Sequence, residues 1–230
     1  MSDAERLKRR AAERAVGFVA SGMRLGLGTG STARHVLDVL GEKLAAGEFT
    51  DLVGVPTSRA TQAYAAERGI PLSTLDDTPR LDVCIDGADE FDPALDLIKG
   101  LGGALLWEKI VASAAERLVI VVDQGKRVAR LGTRAPLPVE VIPFGWKSHL
   151  DFFRALGAEP KLRPSDDDAA FVTDGGHYIV DLTFPDGIPA APELERMLQQ
   201  RTGIVESGLF VGMTSAVVVA APEGTEVLQA

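Results

Sequence analysis

The sequence predicts an α/β protein, a Rossmann-like parallel-sheet domain carrying a second, smaller ferredoxin-like α+β domain. Three observations lead there. Up to about Asp123, short apolar runs alternate with longer segments of helical period, the pattern of a parallel sheet covered by helices. Beyond Asp123 the rhythm changes to a β-α-β-β-α-β order. The 230 residues, 46% hydrophobic and 25% charged, suffice for a large core and have the balance of a folded globular chain.

The elements follow in order. Residues 3–21 form an amphipathic helix, Met23 to Leu27 a strand and Ser31 to Ala46 a helix. Leu52 to Val55 is a strand, and Ser58 to Arg68 is a helix ended by Gly69 and Pro71. Leu81 to Ile85 and Leu118 to Val122 are buried strands flanking a helix from about Gly103 to Arg117, which carries Leu105, Leu106, Ile110, Val111 and Ala114. In the second unit, Pro138 to Phe144 is a strand and Trp146 to Leu156 a helix. Ala170 to Phe184 is a hairpin turning on Asp174-Gly175-Gly176. Pro192 opens the next helix, Gly203 closes it, and Ile204 to Phe210 is the last strand of that unit. The first domain therefore takes residues 1–130 plus about 212–230 and the second takes 131–211; the sequence alone does not fix whether the apolar run Ser215 to Ala220 returns to the large sheet.

Charge and composition exclude several functions. A net charge of −9, with only Lys8-Arg9-Arg10 as a basic run, argues against nucleic-acid or anionic-membrane partners. The N-terminus, from Met1-Ser2-Asp3-Ala4 on, lacks the apolar core of a signal peptide, and no apolar run reaches membrane-spanning length, so a cytoplasmic location is expected. The single cysteine, Cys84, lies in an apolar run and reads as a small buried hydrophobe.

In open parallel sheets ligands bind beyond the carboxyl ends of the strands, and three such junctions are chemically unusual. Gly28-Thr29-Gly30-Ser31-Thr32 joins a strand to a helix. Its glycines admit close backbone approach, its hydroxyls donate, and the helix start offers N–H groups to one phosphate; a ligand-free capped turn is the alternative. Gly26-Leu27-Gly28-Thr29-Gly30-Ser31 lacks the last glycine of a dinucleotide fingerprint, and no Walker lysine follows. Asp86-Gly87-Ala88-Asp89-Glu90 crowds three carboxylates that need compensating donors, such as sugar hydroxyls, or a cation such as magnesium; a solvated helix cap competes. Lys99-Gly100-Leu101-Gly102-Gly103 leads into a helix carrying Glu108 in its second turn, whose side chain leans back toward the loop mouth. A surface Glu-Lys helix with a flexible entry is the bland counterpart.

Taken together, Gly-Thr-Gly-Ser-Thr, Asp-Gly-Ala-Asp-Glu and Lys-Gly-Leu-Gly-Gly-Ala-Leu-Leu-Trp-Glu-Lys, in this order and spacing, resemble the ribose-5-phosphate isomerase A family over essentially the whole chain. Val55 to Thr61, Asp123-Gln124-Gly125-Lys126 and Gly208-Leu209-Phe210 add to the likeness. The resemblance implies a homodimer or homotetramer that interconverts ribose 5-phosphate and ribulose 5-phosphate. It makes Glu108 the proton acceptor, with Lys99 and Asp86 assisting. Thr29, Gly30, Ser31, Thr32, Asp86, Gly87, Ala88, Asp89, Lys99, Gly100, Leu101, Gly102 and Lys126 would contact substrate, and Lys8 matches an N-terminal lysine of some members. Leu101 and Trp107 depart from the family pattern, which commonly has glycine and arginine there.

Such an isomerisation moves one proton between C1 and C2 and requires no redox cofactor; no metal is expected. His35, His149 and His177 share no metal-ligand spacing and read as structural. Two rivals use parts of the same pattern: a sugar-phosphate sensor, which needs an effector domain not visible here, and an acyl-CoA transferase-like enzyme.

Overall fold

The computed structural model describes residues 3–230; Met1 and Ser2, which open the stretch read for a signal segment, lie outside the described residues. The chain runs α1 (Asp3–Val16), β1 (Arg24–Leu27), α2 (Ser31–Ala45), β2 (Val53–Pro56), α3 (Arg59–Glu67), β3 (Val83–Asp86), β4 (Glu90–Phe91), β5 (Leu97–Ile98), α4 (Leu105–Ser113) and β6 (Leu118–Asp123). It continues through β7 (Leu137–Val141), α5 (Leu150–Ala155), β8 (Glu159–Leu162), β9 (Tyr178–Thr183), α6 (Ala191–Gln199), β10 (Ile204–Ser207), β11 (Leu209–Phe210), β12 (Ala216–Ala221) and β13 (Gly224–Gln229). Two compact units result: residues 3–88, 107–126 and 213–230 in the first, and 89–106 with 127–212 in the second. Segment 89–106 thus groups with the second unit, where the sequence gives it to the first.

The first unit is built on a six-stranded sheet of order β13-β12-β6-β3-β1-β2, parallel except for the β13 edge. Successive side chains of a strand face opposite ways, so β1 sends Leu25 and Leu27 to one face and Gly26 to the other. The first face joins Val83, Ile85, Val119 and Val121 to α1 and α2 residues such as Ala12, Val36 and Leu40. Each fully buried leucine or isoleucine contributes about 1.5–3 kcal/mol. On the opposite face, a side chain at Gly26 would stand 2.7 Å from Cys84 Sγ and 2.8 Å from Val111 of α4. Cys84, fully buried, is thus a small packing residue. The apolar run at 215–220 joins this sheet as β12, parallel to β6.

The second unit holds a four-stranded antiparallel sheet of order β10-β7-β9-β8 and a three-stranded one of order β11-β5-β4. The larger sheet interleaves two β-α-β crossovers, as the β-α-β-β-α-β pattern predicts. Its apolar face, Leu137, Val139, Val141, Val180 and Leu182, packs with Phe153, Leu194 and Leu198 of the helices.

Several elements differ from the sequence reading: α1 stops at Val16 rather than at 21, β4, β5 and β13 are strands it did not assign, and three further differences have a local cause. The partner of β9 is β8, not residues 170–173, which make only isolated bridges. Pro160 and the charged Glu159 and Lys161 hide β8, but it is an edge strand, where proline is tolerated. The strand expected over 204–210 breaks at Gly208 into β10 and β11, which pair in different sheets. Finally, α4 is shorter than the segment 103–117, which moves Glu108 from the second turn to the first. Among the described residues no helix is long and apolar enough to cross a membrane.

Candidate active site

In the first unit, neighbouring strands β2, β1, β3 and β6 bring their carboxyl ends to one edge, and the order reverses between β1 and β3, the crevice where such sheets bind ligands. The loop after β1 starts there. Gly28 N–H donates to Ile85 O at 3.0 Å, and Thr29 N–H donates to Asp86 Oδ1 at 3.0 Å. The Thr29 hydroxyl meets Thr57 Oγ1 at 2.7 Å. Gly30, at φ 110°, takes a conformation that favours glycine and precedes α2 without a side-chain cap. The N–H groups that open this 15-residue helix are therefore not covered by a cap, an arrangement suited to an anion.

Asp86 ends β3, is 1% exposed, and accepts from Gly87 N–H at 2.7 Å as well as from Thr29. The three carboxylates expected to crowd this strand end are divided. Asp89 belongs to the second unit and accepts from Leu101 N–H at 2.9 Å. Glu90, 1% exposed, accepts from the N–H groups of Gly132, Arg134 and Ala135 at 2.6, 2.6 and 2.7 Å. It is therefore a loop anchor, where the sequence reading counts it among the crowded site carboxylates.

The lysine and glycine-rich loop also lies in the second unit. Lys99 is 2% exposed, with Nζ 5.5 Å from the Phe210 ring centroid, and its N–H donates to Gly208 O at 2.9 Å. A side chain at Gly208 would stand 2.1 Å from Lys99 O, so glycine is required for this approach. The Gly208-Leu209-Phe210 motif thereby walls the lysine. Gly103, at φ 83°, would press a side chain to 2.4 Å from Phe171. Arg163 pins the loop by donating to Gly100 O at 2.9 Å and Leu101 O at 3.0 Å. Leu101 is thus exposed on a loop fixed through its main chain.

Glu108, 5% exposed, stands in the first turn of α4. Lys126 sits in a single 3₁₀ turn after β6 and forms no ion pair among the described residues. Lys8 instead donates to Glu5 at 2.9 Å, and Glu5 also meets His35 Nε2 at 2.7 Å. The other histidines are likewise engaged: His177 meets Glu140 at 2.9 Å and His149 accepts from Arg201 at 2.9 Å. Burial and the Arg201 charge hold His149 below the usual imidazole range.

The fold is an open α/β sheet, the class in which ligand sites lie beyond the carboxyl edge of the strands. The family described as ribose 5-phosphate isomerase A (phosphoriboisomerase A) matches residues 53–224. Ribose-5-phosphate isomerase A of Rhodopseudomonas palustris (strain TIE-1) is 52% identical over 233 residues, covering 99% of each chain. The Gloeobacter violaceus protein of that name is 54% identical over 228 residues, covering 98% of this chain and 97% of its own. A D-ribose-5-phosphate isomerase solved in complex with phospho-erythronic acid has a TM-score of 0.96 at 38% identity, covering 100% of both chains. Ribose 5-phosphate isomerase A from Methanocaldococcus jannaschii has a TM-score of 0.94 at 38% identity, covering 99% of this chain and 100% of its own. The chain belongs to the ribose 5-phosphate isomerase A family and is an isomerase.

Proposed function

We propose that this chain interconverts D-ribose 5-phosphate and D-ribulose 5-phosphate, a step of the non-oxidative pentose phosphate branch, through an enediolate with Glu108 as base. The observation that carries the reading is a buried glutamate in the first turn of the helix that follows the glycine-rich loop in the chain, in a chain alike end to end to ribose-5-phosphate isomerases. Glu108 takes the proton from C2 of the open-chain aldose and electrons shift onto the C1 oxygen to give the enediolate; the C2 hydroxyl proton passes to the C1 oxygen, and Glu108 returns its proton to C1 as C2 becomes the ketone. Lys99 and loop N–H groups stabilise the negative oxygen of the intermediate. Asp86 and Asp89 bind hydroxyls, and one of the two assists ring opening. Phosphate binds the loop opening α2, with Lys126; Lys8 would join after leaving Glu5. Remote phosphate binding then holds the sugar in a reactive pose. The proposal includes a cytoplasmic homodimer or homotetramer, which sedimentation of the purified protein tests.

The test is direct. Metal-stripped protein is given ribose 5-phosphate, and ribulose 5-phosphate is followed for wild type and Glu108→Gln. A positioned base contributes roughly 10²–10⁴-fold, so turnover falls by that factor in the variant while substrate affinity changes little. Retained turnover in Glu108→Gln removes the residue from this role, and a silent wild type removes the reaction.

A further inference from the structure

We infer that Thr57, Ser58 and Thr61 are positioning residues that hold Thr29 as the anchor of the loop after β1, leaving Gly30, Ser31 and Thr32 to bind the phosphate. The inference rests on the isomerase reading above. Four hydroxyls gather behind the loop. Thr29 Oγ1 lies 2.7 Å from Thr57 Oγ1, 2.8 Å from Ser58 Oγ and 2.9 Å from Thr61 Oγ1, and Ser58 Oγ lies 3.0 Å from Thr61 Oγ1. Two of them are tied to the strand that leads into the loop: Thr57 donates to Leu27 O at 2.9 Å and Thr61 to Gly28 O at 3.0 Å. Ser58 also caps α3 by accepting from Thr61 N–H at 3.0 Å.

Proton counting assigns the roles. A hydroxyl has one hydrogen to give. Those of Thr57 and Thr61 go to main-chain carbonyls and that of Ser58 goes to Thr61, so each has only lone pairs left for Thr29. The Thr29 hydrogen therefore points into the cluster, with three oxygens within 2.9 Å to receive it. Its N–H is spent as well, on Asp86 Oδ1. A phosphate is an acceptor of hydrogen bonds, and Thr29 has no donor left for it. By contrast, Ser31 and Thr32 spend no side-chain hydroxyl on another protein group among the described residues. Thr57 is fully buried and Ser58 and Thr61 nearly so, which places them behind Thr29 as supports. The same anchor fixes Asp86, because the Thr29 N–H that it orients is one of the donors to that carboxylate.

The experiment measures KM and kcat for ribose 5-phosphate in Thr29→Val, Thr57→Val, Thr61→Val, the double variant Thr29→Val/Thr61→Val, and Thr29→Ser. Each valine raises KM about fivefold, the worth of roughly one hydrogen bond, with kcat within about twofold. The double variant is hardly worse than either single one, because the residues act as one unit. Thr29→Ser, which keeps the hydroxyl, recovers most of the wild-type KM. A merely structural role would lower melting temperature and kcat per mole while leaving KM alone. Should a valine at 57 or 61 fail to fold, Ser58→Ala reads the same network at an ordinary capping cost. Wild-type KM in Thr57→Val and Thr61→Val overturns the inference, whether Thr29→Val is impaired or not. If the wild type makes no ribulose 5-phosphate, the isomerase reading fails separately. The same variants are then scored by calorimetric Kd for inorganic phosphate: coupled losses support the anchor, and unchanged or undetectable binding overturns it.

Discussion

Gly28→Ala is the substitution to which the junction of β1 and β3 is least tolerant. An added Cβ would stand 2.2 Å from Asp86 Oδ1, 2.5 Å from its Cγ and 2.6 Å from its Cα. Swinging the Asp86 side chain relieves the first two contacts but not the third, so the two strand ends must separate by about 1 Å to approach ordinary carbon contact of about 3.5 Å. Either movement disturbs the N–H bonds that Asp86 Oδ1 accepts from Thr29 at 3.0 Å and Gly87 at 2.7 Å. Losing one hydrogen bond to a charged group costs roughly 1.5–3 kcal/mol, and overpacking adds about 1–3 kcal/mol. At roughly 2–4 °C per kcal/mol for a chain of this size, the melting temperature falls by about 5–24 °C. On the proposed reaction, in which Asp86 contacts substrate, turnover falls too, by roughly 10²-fold, because a displacement of 1 Å spoils the productive pose. Thermal unfolding and the ribulose 5-phosphate assay, run on the same preparation, read both effects. Gly102→Ala is the stability control: nothing lies within 4 Å of its added Cβ, so melting shifts by no more than about 2 °C. A Gly28→Ala protein with wild-type melting and turnover would refute the packing argument and the role of Asp86 together.

Two other buried acids give separate predictions. In Glu90→Gln an amide nitrogen replaces one oxygen of a group that accepts three N–H bonds, so a donor faces a donor. Stability drops by about 2–4 kcal/mol, read as a lower urea midpoint; an unchanged midpoint would show that loop 132–135 does not depend on the carboxylate. Glu140 is held above the usual carboxyl range first by burial, with the opposing Glu206 adding to it, against lowering bonds from His177 and Thr173. A raised folded pKa means that the folded chain favours the protonated acid, so wild-type stability declines as pH rises through that pKa. Glu140→Gln removes the decline: the variant gains on wild type toward pH 8, and the gain vanishes below the ordinary value of 4.5. Denaturant midpoints across pH 4–8 measure it, and a difference that grows on acidification would reverse the sign of the argument.

How much could be read from the chain follows from what each segment must satisfy. Strands β3, β6 and β12 are continuous apolar runs because both faces of a parallel sheet are covered, and they are plain in the sequence. At sheet edges that demand lapses: β8, Glu-Pro-Lys-Leu, and β13, with Thr225, Glu226 and Gln229, look like loops and become strands only because a neighbour offers its hydrogen bonds. The same limit governs the site. Residue order picked out Gly28 to Thr32, Asp86 to Glu90 and Lys99 to Glu108 as chemically loaded, since glycines, hydroxyls and acids at strand ends need partners. What it left open was the partner of each acid. The need for compensation had two solutions, a cation or donors, and main-chain donors are present: Thr29 and Gly87 for Asp86, Leu101 for Asp89, and Gly132, Arg134 and Ala135 for Glu90. These donors come from loops up to 57 residues away in the chain, and a main-chain N–H leaves no mark on residue identity. Glu90 therefore looks in sequence like a third site carboxylate, although its oxygens are committed to a loop. Asp86 and Asp89 differ from it in accepting from fewer N–H donors among these.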